Sequence, residues 1–188
     1  MEETTGLNIS TDFLFLADKL SNDKRKEFLE YRKYILEFPN LNLAGFHIGY
    51  FEQNIKIAEM IPKDKIAIDV GCGFGFQHIL YQGHEGWLGI QEFLPFNASP
   101  EPELKVFVSN AKIIKGKFEN VWQSLGITEE NKNQYFGIAN HSLWHDPLRN
   151  KEDIEIFKRL FPVNHYATDT DSKQVLWEVE NNLIKNII

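Results

Sequence analysis

One cysteine in 188 residues, Cys72, leaves an internal disulfide without a second half, and no cluster of Cys and His accompanies it to suggest a structural zinc site. No metal is therefore expected, and a reducing compartment suits the chain. No apolar run approaches the roughly 18 residues that a membrane helix needs, and the opening residues, MEETTGLNIS, are acidic where a secretory leader would be basic. A cytoplasmic protein without a membrane partner is the expectation. Positive charge is also in deficit: 20 Lys and Arg stand against 27 Asp and Glu, a net charge of -7. A surface that grips phosphate backbones without regard to sequence is thereby disfavoured, so DNA is not a default partner. Fixed-period repeats, low-complexity tracts and long linkers are absent too.

What is present is a chain 43% hydrophobic, long enough for one well-buried core and short for two. Its hydrophobic period changes near residue 62. Before that point, SNDKRKEFLEYRKYILEFPN starts with capping residues, carries Phe28, Tyr31, Ile35 and Phe38 at helical spacing, and is stopped by Pro39. A second amphipathic helix is predicted over Gly49 to Met60, with Phe51, Ile55 and Ala58 on one face and Pro62 after it. Residues 1–62 thus read as a helical extension packed on the core. It either covers one end of that core or forms a lid over a ligand.

After Pro62 short apolar runs alternate with helical stretches. Strands are predicted at Lys65 to Val70, Gly86 to Gln91, Ala111 to Lys115, Tyr135 to Asn140 and, weakly, His165 to Thr168. Between them fall a short helix from Phe74 to Tyr81, segments around Glu103 to Ser109 and Asn120 to Leu125, and a clearer helix from Lys151 to Leu160; a last helix is predicted over Ser172 to Lys185. Such alternation means parallel strands joined by crossovers. The fold class is therefore α/β, a doubly wound, mainly parallel sheet over residues 63–188 with N-terminal helices.

The most informative stretch is KIAIDVGCGFGFQH, residues 65 to 78, where glycines occupy alternate positions directly after the first strand. Glycine adopts backbone angles closed to other residues and lets a ligand lie on the main chain. A dinucleotide fingerprint G-x-G-x-x-G would need a third glycine at position 76, which is Phe76, so a pyrophosphate grip is disfavoured. Tight packing of a bare turn is the plain alternative to any ligand.

The form D-x-G-x-G-x-G, here Asp69, Gly71, Gly73 and Gly75 with Cys72 between the first two glycines, resembles motif I of the class I S-adenosylmethionine-dependent methyltransferases. The resemblance covers about residues 63 to 170. It implies a Rossmann-like methyltransferase fold, here without the usual C-terminal hairpin, and S-adenosylmethionine as cofactor, its methionine half held by Asp69 and the glycine backbone. It also implies a ribose-binding acid at the end of the second strand, where GWLGIQEF offers Gln91 at the expected position and the carboxylate of Glu92 beside it. After the third strand Phe118 stands where an apolar residue meets adenine, with Lys117 in place of the family's acid. The segment GIANHSLWHD matches the region that shapes the acceptor site, giving Asn140 as a cofactor contact and His141 and His145 as candidate bases, since histidine titrates near neutrality. Each of these also has a plain reading as core or surface. The acceptor implied is a small molecule or a protein side chain, because the [NDS]-P-P-[YFW] signature of amino-methylating DNA enzymes is missing. A non-catalytic relative that binds S-adenosylmethionine, S-adenosylhomocysteine or a protein partner is the alternative.

Overall fold

The computed structural model describes residues 15–37, 48–92, 103–140, 142–143, 151–162 and 165–168. Helix α1 spans Asn22–Leu36 and α2 spans Ile48–Met60, each within a residue or two of the helix the pattern predicts. Strands β1 (Ile66–Val70), β2 (Gly86–Gln91), β3 (Ala111–Lys115), β4 (Tyr135–Asn140) and β5 (His165–Thr168) form one sheet in the order β3-β2-β1-β4-β5. All four pairings are parallel. The chain is thus an α/β protein built on an all-parallel sheet with helices against it. The order runs outward from β1 in one direction and then returns to its other side with β4, so the carboxyl ends of β1 and β4 flank the point where the direction reverses.

Strand alternation sorts the side chains onto two faces. Ala67 and Asp69 of β1 are in register with Trp87 and Gly89 of β2 and with Phe136 and Ile138 of β4. Ala67, Trp87, Phe136 and Ile138 share a core with Phe28, Tyr31 and Ile35 of α1 and Ile57, Ala58 and Ile61 at the end of α2. The opposite face, Ile68, Val70, Ile90 and Ala139, packs on Ile154, Ile156, Phe157 and Leu160 of the helix Lys151–Leu160. That helix is α4, because a short α3, Phe118–Val121, precedes it. Helix α1 buries Phe28, Tyr31 and Ile35, the stripe its 3.6-residue period marks.

Three expected helical segments differ. The segment after the glycines is a 3-10 helix over Phe76–Tyr81, entered through the left-handed Gly75 (φ 72°). Residues 103–110 contain no helix. Leu104 and Val108 are buried there and Val106 is partly buried, a period-two pattern that suits an extended segment. The region Asn120 to Leu125 divides into the end of α3 and a 3-10 turn, Trp122–Leu125, closed by left-handed Gly126. The predicted helix over Ser172 to Lys185 and the stop at Pro39 lie outside the described residues.

Candidate functional site at the glycine turn

The turn after β1 begins with the amides of Gly71 and Cys72 both donating to the Ile90 carbonyl, at 2.9 and 3.1 Å, which pins it to β2. Gly71, Gly73 and Gly75 all have positive φ, of 78°, 54° and 72°. Their surroundings differ. A Cβ at Gly71 would overlap the Ser142 side chain, whose hydroxyl donates to the Val70 carbonyl at 2.5 Å. A Cβ at Gly75 would stand 2.8 Å from Ile113 Cδ1 and 3.4 Å from the Tyr31 hydroxyl. At Gly73 it would meet nothing within 4 Å among the described residues. The middle glycine alone among the three has no such neighbour there. The Gly75 amide closes the turn onto the Cys72 carbonyl at 2.9 Å, while the amides of Gly73 and Phe74 have no acceptor among the described residues. An open floor with two free donors is what a ligand carrying acceptor oxygens requires.

The walls of the turn come from distant parts of the chain. Tyr31 of α1 donates its hydroxyl to the Phe74 carbonyl at 2.7 Å, and burial pushes that phenol above its ordinary range. Gln91, buried at the end of β2 on the same face as Asp69, donates from Nε2 to the Gly73 carbonyl at 2.7 Å. Asn140, ending β4, donates to Asn54 Oδ1 of α2 at 2.8 Å. Helix α2 is thereby tied to the carboxyl edge of the sheet beside the reversal point. His78 lies fully buried behind the turn, with Nδ1 2.5 Å from the Gly75 carbonyl and Nε2 accepting from the Phe107 amide at 3.1 Å. This pairing puts the proton on Nδ1. Burial depresses its pKa to about 4, partly offset by the bond to Gly75, so the ring is neutral at pH 7.

Asp69 stands at the end of β1, only 4% exposed. Burial raises its carboxyl to about 7, and the nearby Trp87 indole N–H pulls it slightly down. That N–H is buried and falls short of hydrogen-bond geometry with any acceptor among the described residues, so the attraction is a weak one. Asp69 in turn adds to the burial that keeps the Cys72 thiol and the Tyr81 phenol protonated. A carboxyl beneath the turn with no cation beside it among the described residues can take up positive charge from a ligand.

The remaining sequence-predicted residues divide. Glu92 lies just past β2, partly exposed, with Lys117 Nζ 3.9 Å from its carboxylate; the same lysine is 3.6 Å from Glu119. Phe118 is 1% exposed and its ring packs edge-on against Phe157. Cys72 is buried and presents its amide to Ile90, not to solvent. His141 and His145 lie outside the described residues. Sequence reasoning did not find Tyr31, Asn54, His78 or Ser142 as parts of this site. Their partners lie from 3 to 86 positions away, and only the face of α1 that carries Tyr31 left a trace in the hydrophobic pattern. Among the described residues no group of three His, Cys, Asp or Glu is placed to hold a metal ion, and no helix is long and apolar enough to cross a membrane. No protein-family model, curated protein or solved structure matches the chain.

Proposed function

We propose that the glycine turn binds S-adenosylmethionine and that the protein is a methyltransferase acting on a small-molecule or protein acceptor. The observation that supports this most is Gly73: among the described residues nothing stands within 4 Å of a side chain placed there and the amides of Gly73 and Phe74 have no acceptor, and the turn lies at the carboxyl end of the central strand beside the reversal of strand order. In open parallel sheets ligands bind in the crevice outside the strand ends at such a reversal. The residues present fit the methionine half of the cofactor: the two amides suit its carboxylate, and the buried Asp69 suits its ammonium group. Gln91 is committed to the Gly73 carbonyl, which leaves Glu92 as the carboxylate for the ribose hydroxyls.

Once bound, the cofactor supplies a methyl group on positively charged sulfur, open to in-line displacement. The protein's part is then alignment and exclusion of water, with His141 or His145 removing a proton where the acceptor carries one. A second reading, a non-catalytic binder, draws on one observation: an amide stands in the acidic position and is bonded to the turn itself.

Gly73→Asn separates ligand binding from folding. Asparagine tolerates the left-handed backbone better than most residues, and the space for its side chain is open, so a loss of about 1 kcal/mol or less in stability is expected. Calorimetric titration should show S-adenosylmethionine binding to the native chain and at least about tenfold weaker binding to the variant, because the new side chain occupies the ligand's place. Equal affinity in the two proteins would move the site elsewhere. Binding without transfer of label from the cofactor to any member of a metabolite pool would favour the second reading.

A further inference from the structure

At the other end of the sheet, where β2 and β3 begin, a cleft of about 440 Å³ opens between α1 and the loops that lead into the two strands. Its size falls in the range of small-ligand sites. Glu27, Gln82, His84, Phe107, Ser109 and Asn110 line it. Phe107 is 37% exposed, an aromatic ring held from behind by edge contacts with Tyr31 and His78. The Glu27 carboxylate has no ion pair, and the Asn110 side-chain oxygen no donor, among the described residues; Asn110 Nδ2 is fixed by the His84 carbonyl at 2.5 Å. The His84 imidazole directs Nε2 at the Ala58 and Ile61 carbonyls, 3.1 and 3.3 Å away, which makes that nitrogen the donor. Nδ1 is therefore an acceptor, buried and without a partner among the described residues. Such an orphan calls for a reason. Lys24 and Lys63 lie within electrostatic range of His84, Lys24 being held by the Leu80 carbonyl at 2.6 Å.

The inventory is thus a partly exposed aromatic ring with a carboxylate, a free amide oxygen, a further amide and a hydroxyl around it. Stacking on an aromatic ring combined with Asn, Gln and carboxylate contacts to a base edge is how proteins read unpaired nucleobases. We infer that this cleft is a second ligand site, separate from the glycine turn, for an amino-bearing nucleobase or nucleoside whose ring lies on Phe107 and whose exocyclic amine donates to Glu27.

Cytidine and uridine make the test, since they differ at the group that meets the acceptors and neither carries the adenine of S-adenosylmethionine. Saturation-transfer NMR on the full chain should show transfer to cytidine and clearly less to uridine. Phe107→Ala and Glu27→Ala, both at partly exposed positions, should each weaken cytidine about tenfold or more, whereas Gly73→Asn should leave it unchanged. Circular-dichroism melting of each variant confirms that the loss is local. The inference is overturned by equal transfer to the two nucleosides, by cytidine binding that survives Phe107→Ala, by binding lost in Gly73→Asn, or by binding of spermidine in place of cytidine. Failure of this test leaves the reading of the glycine turn untouched.

Discussion

Asp69→Asn is expected to make the protein more stable at pH 8, by about 2 to 4 kcal/mol. The folded state holds this carboxyl at about 7 against an ordinary value of 3.8, so above pH 7 folding carries the full cost of ionising a group sealed among Trp87, Tyr81 and Cys72. About three pKa units correspond to roughly 4 kcal/mol, and an amide that finds incomplete hydrogen bonding takes back part of the gain. Between pH 3.8 and 7 the folded state binds more protons than the unfolded one, so the native protein loses stability from this group as pH rises, and the variant's advantage should shrink toward zero near pH 4. Urea unfolding of both proteins at pH 8 and pH 5 measures this. A variant less stable than the native protein at pH 8 would mean that the ionised carboxylate has a compensating partner. A residue that costs stability at the end of a central strand is the pattern of a position kept for a ligand.

The second large effect concerns His78, where the sign is opposite. Its folded pKa is lowered to about 4 from 6.5, so below pH 6.5 the unfolded state binds the extra proton and the neutral ring's contribution drains away as pH falls toward 4, roughly 3 kcal/mol in all. Over much of this window Asp69 acts in the other direction, and the two slopes largely cancel in the native protein. The Asp69→Asn background uncovers it: stability there should fall by about 3 kcal/mol between pH 7 and pH 4. Adding His78→Leu should flatten that fall. The same substitution should cost about 1 to 3 kcal/mol at pH 7, because it takes the acceptor from the Phe107 amide and leaves the Gly75 carbonyl with only the backbone amide of residue 78. Chemical unfolding of the double variant across this pH range decides the matter, and an unchanged pH slope would show that another group is responsible.

Much of the framework can be read from the chain because buried parallel strands announce themselves as short apolar runs. Ile66 to Val70 and Gly86 to Gln91 are of this kind. The helical period of Phe28, Tyr31 and Ile35 marked the face that α1 buries. Residues 103–110 resisted because Leu104, Val106 and Val108 alternate in a segment that is neither helix nor strand, held by the Tyr34 hydroxyl on the Glu103 carbonyl and by His78 on Phe107. In the candidate site, three glycines after a strand were legible as a turn with unusual backbone angles. Which of the three stays open was not, since Ser142, Ile113 and Tyr31 decide it and the sequence has no record of their approach. Gln91 illustrates the same limit. Its place at the strand end suggested a ribose contact, while its amide reaches across to the turn.

A ligand lying against the peptide groups of Gly73 and Phe74 is most directly detected by a nitrogen-15 correlation spectrum of the native chain titrated with S-adenosylmethionine and, separately, with S-adenosylhomocysteine. The amide signals of Gly73 and Phe74 should move with saturation and ahead of those of Ser109 and Asn110 at the far edge of the sheet. Amides of the glycine turn that stay in place at millimolar cofactor, in a spectrum that is otherwise well dispersed, would contradict such binding.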